Sequence, residues 1–137
     1  MKKAIIIGAT SGIGKELALI LSNNGYKVGI TGRRTQSLTE LQNHKPESFI
    51  PKTFDITDET ATESALTELI NELGGLDLLV ISSGTGDINE SLDYSIEKGT
   101  IAVNVSGFTQ AADFAFRYFE KQKHGHLAAI TSIAGIR

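Results

Sequence analysis

A chain of 137 residues with 40% hydrophobic side chains and a formal net charge of −3 has the length and composition of one soluble globular domain, not of a disordered segment. Mixed charges without a basic block give no electrostatic case for nucleic acid or an anionic membrane surface, so a small molecule is the expected partner. The absence of cysteine excludes disulfides and thiolate metal sites, the three histidines sit apart at His44, His124 and His126, and no metal site is expected; a cytoplasmic location is expected.

In chain order, "KKAIIIGA" is apolar almost throughout, which suits a strand buried on both faces of a parallel sheet. Its short apolar run breaks at glycines and then meets Lys15 and Glu16, so it is neither a signal peptide nor a membrane span. Ile13, Leu17, Ile20 and Leu21 then form one helical stripe that stops at Asn24-Gly25. "YKVGIT" is a second strand, and "TQSLTELQN" a short helix with Leu38 and Leu41 inward. The third strand, "SFIPKTF", carries Pro51, whose missing N–H places it at a sheet edge. Ala65, Leu66, Leu69, Ile70 and Leu73 mark a longer helix ending at Gly74-Gly75, and "LDLLVIS" is a fourth strand. A long helix from about Ser95 to Lys121 follows, with phenylalanines suited to core or interface, and "HLAAITS" is the fifth strand.

This alternation predicts an α/β fold, a doubly wound parallel sheet in the order 3-2-1-4-5, with residues 1–137 forming one dinucleotide-binding domain. Ligands of such sheets bind beyond the carboxyl ends of the strands, at the switch point between strands 1 and 4. Directly after the first strand stands "GATSGIG", with Gly8, Gly12 and Gly14 leading into a helix. Small residues there let backbone N–H groups and the helix N-terminus approach a pyrophosphate, with Thr10, Ser11 and Ile13 lining the turn. The competing reading is a glycine turn that only reverses the chain.

On this spacing the chain resembles the short-chain dehydrogenases/reductases of the classical type, from Lys3 to its last residue. The resemblance implies a Rossmann-type fold and an oxidoreductase that interconverts a carbonyl and an alcohol by hydride transfer. Strand 2 ends in "TGRR", where an acid would accept from the 2′-hydroxyl of NAD and a guanidinium would pair with the 2′-phosphate of NADP. Gly32 stands where the acid might have been and Arg33 follows, which favours NADP(H); Arg34 reads as the bystander, and the alternative is a solvated Arg pair at a helix start. In "FDITD" the resemblance implies that Asp55 accepts from the adenine amino group while Ile56 borders the ring; otherwise Asp55 or Asp58 merely begins the next helix. "VISSGTG" departs from the family's Asn-Asn-Ala-Gly at all but Gly84, which permits close backbone approach to the cofactor. Ser82 and Ser83 supply hydroxyls where an amide is expected, and how this loop is braced stays open.

Asn104, between two valines in "AVNVSG", reads as an Asn at a buried helical position whose amide must be satisfied somewhere. In the family this Asn kinks the helix and holds a water that relays protons; the alternative is a cap at a helix break near Gly107. Ser132 in "ITSIAG" aligns with the serine that hydrogen-bonds the substrate carbonyl, where a hydroxyl can donate to a developing oxyanion. The family's proton donor is a Tyr with a Lys one helical turn on, and only Tyr94-x-x-x-Lys98 fits those letters, ahead of Ser132 and by coincidence. The chain is therefore expected to be the N-terminal portion of its polypeptide, truncated before strands 6 and 7, inactive by itself, and paired with other copies through the long helix. The alternative is a non-catalytic NADP-binding regulatory or scaffold protein of the same fold.

Overall fold

A computed structural model describes residues 1–132. The elements are β1 (Lys3–Ile7), α1 (Gly12–Asn23), β2 (Lys27–Gly32), α2 (Thr35–His44), β3 (Phe49–Thr53), α3 (Glu59–Leu73), β4 (Leu78–Ile81), α4 (Tyr94–Ile101), a π-helical segment (Ala102–Gly107), α5 (Phe108–Gln122) and β5 (His126–Ala129). Among the described residues they build one parallel sheet in the order β3-β2-β1-β4-β5, as the alternation of periods predicts. Pro51 lies in the edge strand β3, where a missing N–H leaves no ladder bond unmade on the solvent side.

Side chains of β1 alternate between two buried layers. Ala4 and Ile6 meet α1 and α2 through Ala18, Leu38 and Leu41, while Ile5 and Ile7 meet α3 and α5 through Leu66, Leu69 and Phe114. Each such Leu or Phe removed from water contributes about 1.5–3 kcal/mol before the cost of ordering the chain. Asp58 caps α3 by accepting from Ala61 N at 3.0 Å, and Gly74 ends it in the left-handed conformation at φ 80°.

The stripe expected on the first helix is only partly inward. Gly14, Ala18 and Ser22 form the buried face of α1, whereas Ile13 is 62% exposed and Ile20 55% exposed. The helix lies so close to the turn before it that a Cβ on Gly14 would stand 1.9 Å from Gly8 O, and such an approach selects small residues over branched ones. The long helix runs from Tyr94 to Gln122 with the π segment inside it. Phe114 and Phe119 join the core and Phe116 is 63% exposed, so core and surface divide these rings.

Register sets the position of the site. Ile7 is level with Thr31 on one side and Ile81 on the other, and Ile81 with Ala129. All five strands therefore end on one edge, and the segments that follow them converge there. No helix among the described residues is long and apolar enough to cross a membrane.

Candidate functional site

At that edge lies a cavity of about 270 Å³ whose walls come from five separate segments of chain. The turn after β1 gives Gly8, Thr10 and Ser11, and the end of β2 gives Thr31, Gly32, Arg33 and Arg34. Phe54, Asp55 and Ile56 follow β3, residues Ser82 to Thr85 follow β4, and Val103 comes from the π segment. A larger groove of about 650 Å³ runs between α3 and α5, lined by Glu63, Phe114 and Arg117 among others, and no strand end opens into it. Position at the strand ends, not size, singles out the smaller cavity.

The glycine turn is pinned to the sheet by Ala9 N, which donates to Thr31 O at 2.8 Å, while Thr31 Oγ1 donates to Ile6 O. Gly8 has φ 90°, and a Cβ on it would lie 2.8 Å from Ser83 N, so the turn and the loop after β4 touch backbone to backbone. Gly12, at φ 59°, has nothing within 4 Å of where a Cβ would stand and leaves the start of α1 open. The first N–H groups of a helix lack acceptors within it, which suits them to an anion. The Ile13 side chain turns away from the cavity and shares another surface with Leu17, Ile20 and Ile130.

Of the two arginines, Arg34 is the one fixed to the glycine turn: its Nη2 donates to Thr10 Oγ1 at 2.8 Å and to Ser11 Oγ at 3.2 Å. The sequence reading makes Arg34 the bystander, yet it is Arg34 whose side chain engages the turn, while Arg33 lines the cavity beside it. At Gly32 a Cβ would stand 2.3 Å from Thr10 Cγ2, so Thr10 fills the space an acidic side chain would need there.

Asp55 does not cap the next helix; Asp58 does. Instead Asp55 Oδ1 accepts from Thr57 N at 2.9 Å and Thr57 Oγ1 at 2.8 Å. Those two bonds, helped by the Arg33 charge, hold its carboxyl below the usual aspartate range despite some desolvation. Ile56 is buried at the cavity wall beside Phe54.

Asn104 departs from its expected burial and is exposed at the rim. The reason lies in the helix that carries it: none of the eight residues of α4 is buried, and of the π segment only Gly107 is. Phe108 N reaches back five residues to Val103 O, the bonding of a π-helix, a form found frequently at functional sites. Asn104 then grips the loop after β4 with both ends of its amide, Oδ1 accepting from Thr85 N at 2.9 Å and Nδ2 donating to Thr85 O at 2.7 Å. This clasp braces the loop that lacks the family's asparagines. Gly84 sits within that loop, 3.6 Å from Asn104 Oδ1 when measured from an added Cβ. Ser83 Oγ is buried without a partner among the described residues, and Ser82 Oγ lies against Gly14.

Ser132 lies three residues past the end of β5, on the same edge, and is exposed. Tyr94 begins α4, is exposed, and does not line the cavity. Among the described residues no group of three or more His, Asp or Glu side chains gathers to hold a metal ion.

The family model for short chain dehydrogenase matches residues 2–137. The chain belongs to the short-chain dehydrogenase family. An uncharacterized oxidoreductase of Myxococcus xanthus is 33% identical over 99% of this chain and 56% of its own length, so the chain spans little more than half of that relative. Among solved structures, a 7α-hydroxysteroid dehydrogenase complexed with NADH and 7-oxo glycochenodeoxycholic acid superposes with a TM-score of 0.92 at 26% identity, covering 99% of this chain and 55% of that one. ElxO with NADP bound gives a TM-score of 0.86 at 25% identity, covering 99% and 57%. The cavity of this chain stands at the switch point between β1 and β4.

Proposed function

We propose that the chain is the cofactor-binding portion of an NADP-dependent oxidoreductase that interconverts a carbonyl and an alcohol of a small molecule. The observation that supports this reading most is the cavity itself, which joins a glycine turn, two arginines and an Asp55–Ile56 wall while Thr10 fills the space beside Gly32. The residues fit a dinucleotide. Gly12 and the start of α1 are open to a pyrophosphate, with Gly8, Thr10, Ser11, Ile13 and Gly14 forming the turn around it. Phe54, Ile56 and Val103 offer an apolar wall to the adenine, and Asp55 an acceptor to its amino group. Gly84 lets the loop backbone approach the ribose side.

The arginine pair after β2 receives the 2′-phosphate, since charge-assisted bonds from a guanidinium fork suit phosphate oxygens. When bound, the nicotinamide supplies or accepts the hydride, and the protein positions it and handles the proton. Ser132 donates its hydroxyl hydrogen to the substrate carbonyl oxygen, and Asn104 holds the loop that borders the cofactor. Named relatives support either nicotinamide: one solved neighbour carries NADH and another NADP. The arginines and Gly32 support the NADP reading.

Titration of the purified polypeptide with NADPH and NADH tests the reading. NADPH binds more tightly, and the double variant Arg33→Ala/Arg34→Ala loses about 1.5–3 kcal/mol of NADPH affinity with NADH nearly unchanged. Equal affinities in the parent protein sink the preference. Residues 1–137 contain no Tyr-x-x-x-Lys after Ser132, so this polypeptide alone binds cofactor without turning over ketones or alcohols. Sustained cofactor-dependent reduction by it would point to another proton donor.

A further inference from the structure

The groove of about 650 Å³ between α3 and α5 shares no residue with the cavity at the strand ends, and its volume falls in the range of small-molecule sites. Its floor is apolar. Ile70 and Phe114 belong to the core, and the half-buried Tyr118 packs against that core. The Tyr118 hydroxyl and the Asn71 amide make no hydrogen bond among the described residues.

Charge is distributed unevenly along the groove. Arg117 is matched by Glu63, 3.4 Å away. One turn further along α5 stands Lys121, and Lys123 follows at the helix end. These two lysines share the wall with a single carboxylate, Glu120, and no ion pair engages any of the three among the described residues. Lysine suits the last turn of a helix, where it offsets the dipole, and this accounts for Lys121. It does not account for the backbone of Lys123, which ends α5 at φ 69°, in the left-handed conformation usually left to glycine. Strain of this kind persists where the side chain serves a purpose.

We propose that the groove is a ligand site for a small amphipathic carboxylate, its apolar body on Ile70, Phe114 and the Tyr118 ring and its carboxylate against Lys121 and Lys123. A cationic ligand would meet two unmatched ammonium groups. A wholly apolar one would cover them without offering a partner, which costs free energy. A carboxylate accepts from both lysines and has capacity left for the Tyr118 hydroxyl and the Asn71 amide.

Sodium octanoate is the probe, with octanol and octylamine as controls of equal chain length. Amide chemical shifts of the isotope-labelled polypeptide give the readout. Octanoate shifts Thr67, Asn71, Tyr118 and Lys121 saturably and binds about three- to tenfold more tightly than octanol, while octylamine does not bind. Lys121→Gln/Lys123→Gln brings octanoate down to the affinity of octanol. Asn71→Trp, at an exposed position, fills the groove and blocks both, with the spectral dispersion of the parent retained in both variants. Equal affinity of the parent for octanoate and octanol means that the lysines read no charge and overturns the proposal. A response centred on the Ile13 and Ile20 surface of α1 overturns it as well. Groove shifts that grow with protein concentration in the absence of octanoate mean that a second copy fills the groove, which also overturns it.

Discussion

Asn104 and Thr85 stand nineteen positions apart and meet through two hydrogen bonds, both to backbone atoms of Thr85. A side chain that satisfies an N–H and a C=O at once replaces one rung of a sheet, and it does so where β4 has already ended. Replacing Asn104 by Leu removes both bonds, which predicts a loss of about 1–3 kcal/mol and faster amide exchange at Thr85 than at Ser82. Ser82 N is held separately by Ile7 O, so unequal exchange identifies the clasp as local. Unchanged protection at Thr85 would show that the loop is braced by other means. At this scale the sequence carried residue types better than partners. Gly8 was named from the glycine spacing and Asp55 and Ile56 from the family resemblance, and the three line one cavity. The exposure of Asn104 was not legible, because its two flanking valines look alike in sequence, whereas Val103 packs against the core and Val105 is exposed. Nor was the bond of Arg34 to Thr10 and Ser11, because it joins side chains more than twenty positions apart and the sequence reading left Arg34 a bystander.

Elements were more legible, since the switch between strand and helix periods marks them along the chain. Leu38 and Leu41 in α2, and Leu66, Leu69 and Leu73 in α3, turn inward as their spacing predicts. Helix α1 breaks the pattern for a reason of distance: its seat on the turn leaves room for Gly14, Ala18 and Ser22 but not for the branched stripe. Gly14→Ala therefore forces the helix away from Gly8 O and costs about 1–3 kcal/mol or more by overpacking. The same exchange at Gly12, which faces open space, strains only its positive φ. Urea unfolding of the two variants checks the ordering, and a milder loss at Gly14 than at Gly12 would contradict the packing argument.

Over the whole molecule, strand order could be inferred because right-handed crossovers leave few arrangements of five alternating units. Ile13, Leu17, Ile20 and Ile130 line one apolar surface, and β5 is an edge strand among the described residues. Phe116 adds an exposed ring on α5. Surfaces of this kind recruit other chains, so the expected outcome is that residues 1–137 self-associate, with copies pairing through the long helix. Sedimentation should find the association weakened by Ile20→Glu or Phe116→Glu; a monomer at high concentration in the parent protein would count against it. The cavity itself has a different consequence. Its walls are drawn from segments near residues 8, 33, 55, 84 and 103, so no short stretch of chain possesses any working part of it. Such a site is a property of topology: it is created late, when distant units have docked, and it vanishes at once if any one of them lets go. A molecule that settles there reports on the integrity of the entire sheet, and in doing so becomes part of what keeps the chain folded.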